Sequence, residues 1–553
     1  MENPEHTDHF DVVIVGAGIA GLYAVHRLRG LGLRVRAYER GGGVGGTWYW
    51  NKYPGCRCDI ESVWYSYSFS EALQQEWDWS HRYAAQPEIL AYLNHVADRF
   101  DLRRDIQLET TVTGMAFDEG TQTWAVELDE TTRVSASFVV MATGILANSI
   151  VPDIPGLEAF AGRIVHTGAW PEEGVELRGK RVGIIGTGSS SIQATPLIAK
   201  EAGHLHVFQR TPQFAIPAWN APIPPEVMRQ VKEDYPEMRR RAWDTIGGIP
   251  FEQAPHAALE VTADERDTWL RRTWARGGYL MIASYPNILF DAETNAIVGE
   301  WVKDRIRERI DDPEVAAKLM PSYPFAAKRL CVDTDYFEVY NRDNVTLVDL
   351  RETGIERMVD TGLHLTDGSL VELDVLIFAT GFDAVTGALM RIDPVGRNGL
   401  TIREKWGEAV LAYLGVMVAG FPNMFLINGP GSPSLLYNMV PAIEHHVDWI
   451  ADTITYLREH DQRAIEPVPG AEREWTEEVD RVAGQTVYTQ VNSWYMGSNV
   501  QGKVRTFLAW AGGGPRYFDR VSQDVENGYE GFMFTPGEPG AGAPESGSLS
   551  SRA

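Results

Sequence analysis

Two stretches of this chain repeat one pattern: a short apolar run, a glycine-rich turn, an amphipathic helix and a second apolar run. Phe10 to Val15 (FDVVIV) reads as a strand buried on both faces. It is followed by Gly16-Ala17-Gly18-Ile19-Ala20-Gly21, a helix over Leu22–Leu31 and a strand over Arg34–Tyr38. The pattern returns as a strand over Arg181–Ile185, the turn Gly186-Thr187-Gly188-Ser189-Ser190-Ser191, a helix over Ile192–Ala202 and a strand over His204–Phe208.

In such a turn the first glycine permits the tight bend and the second lets backbone approach a pyrophosphate. The third lets helix and strand pack closely, and the helix N-terminus offers free N–H groups to the anion. The predicted fold class is therefore α/β with two Rossmann-like dinucleotide-binding domains. The residue closing each second strand separates the two sites. Glu39 can accept hydrogen bonds from a ribose 2′-hydroxyl and repels a 2′-phosphate, which suits FAD or NAD; Gln209-Arg210-Thr211 puts a cation and a hydroxyl in that place, which suits NADPH. Ser191 stands where the third glycine would be, and the second unit is expected to pack slightly more loosely. One flavin site and one nicotinamide site imply hydride transfer from NADPH to FAD.

Strand-like segments ending in Ala142-Thr143-Gly144 and Ala379-Thr380-Gly381 resemble crossing points between the units, which predicts an NADP domain inserted in the FAD domain. The expected division is 10–148 and 386–535 for the FAD domain and 149–221 and 327–385 for the NADPH domain. Residues 222–326 (EVMRQVKEDYPEMRRRAW, WVKDRIRERI) form a helical insertion over the latter, expected to be solvated and without catalytic residues. Residues 1–9 and the Gly/Pro/Ser-rich 536–553 are expected to be disordered.

A length of 553 residues supports more than one core, and a net charge of −26 disfavours nucleic acid and anionic membrane surfaces as partners. Three cysteines, no apolar run of about 18 residues and no leader pattern point to a cytoplasmic protein with no membrane association. No metal site is predicted.

Between the two units lies Phe160-x-Gly162-x-x-x-His166-x-x-x-Trp170-Pro171. It matches the FxGxxxHxxxW(P/D) fingerprint of type I Baeyer–Villiger monooxygenases, and the chain resembles that family from about Asp11 to about Phe534, including GGTWYWNKYPGCRCDIES, AAKRL, GPGSPS and SWYMGSNV. The resemblance implies an enzyme that uses tightly bound FAD, NADPH and O2 to convert ketones, bulky, cyclic or aromatic ones above all, to esters or lactones through a C4a-peroxyflavin. It implies Arg329 as the active-site guanidinium, because a charge that persists at any working pH stabilises an anion in a dry site, and Asp59 as the carboxylate that orients it.

By the same resemblance the FAD contacts are Gly16, Gly18, Gly21, Glu39, Gly46, Thr47, Trp48, Asp59, Tyr65, Val112 and Met439. The NADP contacts are Arg57, Gly186, Thr187, Gly188, Ser189, Ser190, Gln193, Arg210, Thr211, Lys328, Arg329 and Trp494, and Leu435, Leu436 and Tyr437 shape the ketone pocket. His166 is expected to act in conformation or linkage rather than in oxygen transfer. Cys56 departs from the family, which usually carries alanine there. A monomer or weak homo-oligomer acting on a small-molecule ketone is expected. Sulfide or amine oxidation on the same scaffold is the alternative activity, and a non-catalytic flavin-binding protein a further one. A disulfide reductase is disfavoured by the close spacing of Cys56 and Cys58.

Overall fold

The computed structural model describes residues 8–537. Its first sheet runs in the order Ile106–Gln107, Val35–Tyr38, His9–Val15, Thr132–Met141, Thr123–Leu128, Val112–Asp118, with Met424–Leu426 also pairing to Thr132–Met141. The four strands from Ile106–Gln107 to Thr132–Met141 are mutually parallel, as is Met424–Leu426, while the remaining two return as antiparallel neighbours. Val12, Val13 and Ile14 have no exposed surface, which is what an unalternated apolar run requires.

The second sheet is wholly parallel: Val345–Asp349, His204–Gln209, Arg181–Ile185, Val375–Phe378, Arg163–His166. All its strands fall in the chain between the last consecutive strand of the first sheet and Met424–Leu426, so the chain leaves the first sheet, builds the second and returns.

Two predicted helices begin earlier than the apolar pattern suggests, at Ile19 (Ile19–Gly30) and Ser189 (Ser189–Glu201). The reason is the turn itself: Gly18 and Gly188 are the N-caps, so the last three turn residues already wind the first helical turn. The first of these helices is held to Met439–Glu459 by the Tyr23 hydroxyl and the Arg27 guanidinium, both donating to Asp448 at 2.9 Å.

Three expectations need correction. His9 opens the first strand and pairs with Ser135, and Asp8 lies 3.2 Å from Arg34, so order begins before Phe10 because the ladder to Thr132–Met141 extends further than the apolar run. At the other end Pro536 closes the strand Phe532–Pro536 against Gln462 and the Gly537 N–H donates to the Asp461 carbonyl at 2.8 Å, so both are ordered; the rest of the two expected disordered ends, 1–7 and 538–553, lies outside the described residues. The insertion does contain the helices Pro225–Trp243, Ala263–Arg276, Ala292–Arg307 and Pro313–Leu319. It is more than a solvated cover, however. Arg239 donates to the Trp64 carbonyl, Ser66 and Gln74, Arg309 bridges Asp333 and Glu338, and the loops between the helices form cavity wall. Among the described residues no helix is long and apolar enough to cross a membrane.

Candidate active site

A cavity of about 1300 Å³ is lined by both glycine turns. It exceeds the roughly 300–1,000 Å³ of a pocket for one small ligand and suits two dinucleotides with a substrate between them. At the first turn Gly16 adopts φ +105° and abuts the Ala142 carbonyl, where a Cβ would lie 2.6 Å from the oxygen. A Cβ on Gly18 would lie 3.3 Å from the Cα of Gly46, so two backbones meet there; Thr47 and Trp48 follow in a single helical turn, and the Trp48 indole donates to the Tyr65 hydroxyl at 3.2 Å. Buried Glu39 accepts from the N–H groups of Ala17 (2.9 Å) and Gly41 (2.8 Å), which fixes its carboxylate beside the turn. Val112 and Met439 complete this part of the wall. Neither Gly18 nor Gly188 offers a side-chain cap, so the first-turn N–H groups of both helices are left for an anion.

The second turn repeats the first. Gly186 has φ +112° against the Ala379 carbonyl, the Thr187 hydroxyl donates to the Thr211 carbonyl at 2.6 Å, and Ser189 and Ser190 open the helix. Gln193 bridges the two halves: its amide donates to the Arg57 carbonyl at 3.1 Å, and its oxygen accepts from Tyr53 (2.9 Å) and the Arg57 N–H (3.3 Å). Arg210 and Lys328 both line the cavity. Burial, then the neighbouring positive charge of Arg210, lowers the Lys328 pKa. The side chains of Ser434, Ser493 and Asn499 add buried polar atoms without partners along the same cavity. Glycine cradles, uncapped helix ends and paired cations fit two nucleotide cofactors.

Arg329 and Asp59 meet on the wall between these turns. The guanidinium donates from Nε to Oδ2 at 3.0 Å and from Nη2 to Oδ1 and Oδ2 at 2.9 and 2.7 Å, while Nη1 donates to the Leu435 carbonyl at 3.0 Å. The Tyr279 ring lies 5.0 Å from the guanidinium carbon. Burial opposes the charge on Arg329, but the Asp59 carboxylate, with Tyr279 and Tyr495, outweighs it and holds the pKa well above the ordinary value. About a quarter of the side chain (24%) stays open. Trp494 lines the cavity with its ring 4.5 Å from that of Tyr495, and Leu435, Leu436 and Tyr437 form a further wall.

Six of the residues singled out from sequence stand off the cavity. Gly21 is a packing position, where a Cβ would fall 2.0 Å from the Gly16 carbonyl oxygen. Phe160 belongs to a separate buried cluster, Gly162 is pressed on the Phe160 ring, and Trp170 and Pro171 lie outside the cavity lining. His166 accepts from the Gly168 N–H at 2.9 Å, and its Nε2 lies 3.4 Å from Thr380 in the second crossing segment, which braces the junction between the sheets.

A family model described as pyridine nucleotide-disulphide oxidoreductase matches residues 10–236. Over 532 residues the chain is 41% identical to an acetone monooxygenase (methyl acetate-forming) from Gordonia sp. (strain TY-5), covering 96% of this chain and 100% of that one. Over 527 residues it is 41% identical to a Baeyer–Villiger monooxygenase from Pseudooceanicola batsensis, covering 95% and 96%. The chain belongs to the Baeyer–Villiger monooxygenase family. A phenazine N-monooxygenase from Lysobacter antibioticus is 39% identical over 95% of this chain and 97% of its own. Among solved structures, a steroid monooxygenase bound to NADP superposes with a TM-score of 0.91 at 48% identity (96% and 100% covered). OTEMO in complex with FAD and NADP superposes at 0.92 and 38% identity (95% and 99% covered).

Within this Baeyer–Villiger fold, sequence reasoning missed the insertion's share of the cavity: Tyr279 beneath Arg329, and Ile246, Gly247, Ile249 and Phe251 at another wall. The one available signal was GGY at Gly277–Tyr279, where both glycines take positive φ between two insertion helices. The cysteines are free and buried. Burial pushes the thiols of Cys56 and Cys331 up to about 12 and that of Cys58 well above its usual range, which is the reverse of what disulfide exchange requires.

Proposed function

We propose that this protein converts ketones, with bulky, cyclic or aromatic ones favoured, to esters or lactones with FAD, NADPH and O2. The observation that carries the proposal is the Asp59–Arg329 fork on the wall of one cavity that holds both glycine turns. FAD, when bound, supplies hydride acceptance and the reaction of the reduced ring with O2. Glu39 and the Gly16–Gly18 turn would bind its ribose and pyrophosphate, with Gly46, Thr47, Trp48, Tyr65, Val112 and Met439 enclosing it. The Gly186–Ser190 turn, Gln193, Arg57 and Trp494 would receive NADPH, and Arg210, Thr211 and Lys328 would hold its 2′-phosphate. Arg329 presents a permanent positive charge toward developing negative charge, and Asp59 fixes the guanidinium plane so that little reorganisation is needed during reaction. His166 would act by bracing the crossing segment at Thr380 rather than by touching substrate.

Incubation of the holoprotein with NADPH, O2 and a panel of cyclohexanone, phenylacetone and progesterone tests this, with products identified by mass and structure. An ester or lactone heavier than its ketone by one oxygen is expected. The likeness to a phenazine N-monooxygenase favours a second reading, oxidation of a ring nitrogen. An N-oxide from phenazine with no ester from any ketone would exchange the first reading for the second.

Arg210→Ala is expected to weaken NADPH and leave NADH unaffected. Loss of one charge-assisted contact, about 1.5–3 kcal/mol, corresponds to roughly 10- to 100-fold in apparent affinity for NADPH. Steady-state KM values for the two nucleotides check this, and an equal change in both would remove Arg210 from the phosphate site.

A further inference from the structure

A second, smaller cavity of about 210 Å³ lies behind the Leu435–Asn438 wall, bounded by Ser68, Arg239, Trp243, Gly248, Asn438 and Glu444 among others. Part of its lining is polar: Glu444 is buried, Arg239 is half-buried, His445 carries a buried Nδ1 without a partner, and Asp448 keeps 46% side-chain exposure. Asn438 lines both this cavity and the main one, and Gly248 of the smaller cavity faces the neighbouring ring.

That ring belongs to Tyr437. Although it contributes to the main cavity wall, it is only 5% exposed, because its ring occupies a slot between two glycines from distant parts of the chain. A Cβ on Gly248, in the insertion, would lie 2.6 Å from ring atom Cε1, and a Cβ on Gly514, at the start of the helix Gly514–Glu526, would lie 2.3 Å from Cε2 on the opposite edge. Any other residue at either position fills the slot. The hydroxyl donates to the Trp243 carbonyl at 3.3 Å, and Phe518 packs edge-on with ring centres 5.3 Å apart. Around this ring the insertion loop is pinned by backbone bonds on both sides: the Asn438 N–H donates to Gly247 (2.9 Å) and the Gly514 N–H to Ile246 (3.1 Å). Ile246, Gly247, Ile249 and Phe251 of that loop line the main cavity.

We infer that Tyr437 is a positioning residue, a latch that locks the 244–251 loop of the insertion over the cavity and separates the cavity from the smaller one bounded by Gly248. Its ring is buried in the glycine slot, so it governs substrate size and water exclusion through the loop rather than as a surface against which the ketone rests. The loop carries four apolar wall residues, and releasing it enlarges the site and wets it together. This deepens the proposed ketone oxygenation and rests on it for the effect on turnover; the latch itself does not.

The test compares Tyr437→Ala, Tyr437→Phe, Gly514→Ala and the Tyr437→Ala/Gly514→Ala pair in the full-length holoenzyme. Hydrogen exchange of 244–251 is measured first, then ester formed and hydrogen peroxide released per NADPH consumed. Tyr437→Ala is expected to speed exchange of 244–251 at least about tenfold and to shift NADPH consumption from ester toward peroxide. It should also raise KM for phenylacetone more than it lowers kcat. Tyr437→Phe keeps the ring and should restore slow exchange. Gly514→Ala should reproduce the Tyr437→Ala result by expelling the ring, yet add nothing in the double variant, where the slot is empty; residues in contact are non-additive in this way. Unchanged exchange in Tyr437→Ala, or fully additive effects in the pair, would overturn the latch. If the unaltered protein forms no ester from any ketone, the reaction assignment fails while the exchange data still decide the latch.

Discussion

Arg329→Ala is expected to retain FAD and to lower ester formation by at least about 100-fold, the loss typical when a preorganised donor to developing negative charge is removed. The guanidinium is held by three contacts to Asp59, one to the Leu435 carbonyl and the face of Tyr279, which fix its place in the wall. The same substitution leaves the Asp59 carboxylate without its partner in a site where its side chain is only 15% exposed. Breaking a buried pair from one side costs about 3–5 kcal/mol, whereas removing both partners is far milder. The double variant Asp59→Ala/Arg329→Ala should therefore recover much of the thermal stability lost in Arg329→Ala while remaining inactive. Melting temperature and product yield measured on the same preparations separate the two effects. Ester formation near the unaltered rate in Arg329→Ala would remove the guanidinium from the chemistry.

Gly21→Ala should strike FAD retention and stability instead. The added methyl would sit 2.0 Å from the Gly16 carbonyl oxygen and 2.9 Å from its carbon, both backbone atoms of the turn proposed to receive the pyrophosphate. Relief requires the helix Ile19–Gly30 to move off the strand His9–Val15, carrying the first-turn N–H groups away from the anion. Overpacking of this kind costs about 1–3 kcal/mol, and the flavin contacts are lost in addition. Purified Gly21→Ala protein is expected to hold markedly less FAD by absorbance and to melt several degrees lower. The corresponding position of the second turn, Ser191, already carries a side chain, fully buried, with its hydroxyl 3.4 Å from that of Thr195. Ser191→Gly should therefore leave NADPH binding almost unchanged, and a comparable loss there would contradict the packing account.

The two strand–turn–helix units were legible before any coordinates because each is written in consecutive residues. An unalternated apolar run demands a strand buried on both faces, and the glycines mark backbone that a Cβ would obstruct, as Gly16 at φ +105° and Gly186 at φ +112° do. The contrast between Glu39 and Arg210 was equally local, since each is the residue that ends or follows a second strand.

What sequence alone determined, then, is the α/β class, the presence of two dinucleotide units and the opposite charges that follow their second strands. The tertiary structure decided where distant segments meet. Asp59 and Arg329 stand 270 positions apart, and no periodicity or spacing specifies their three hydrogen bonds; family resemblance alone had suggested the pair. Tyr279 lies between helices whose amphipathic pattern reports only a solvated face, and the slot around Tyr437 draws one glycine from the insertion and one from the C-terminal helix. The fingerprint, conspicuous as a motif, proved to stand off the cavity, with His166 bracing a junction. Local conformational demands are encoded in neighbouring residues and can be read there. Contacts closed across hundreds of residues depend on how whole layers pack, and only the folded chain displays them.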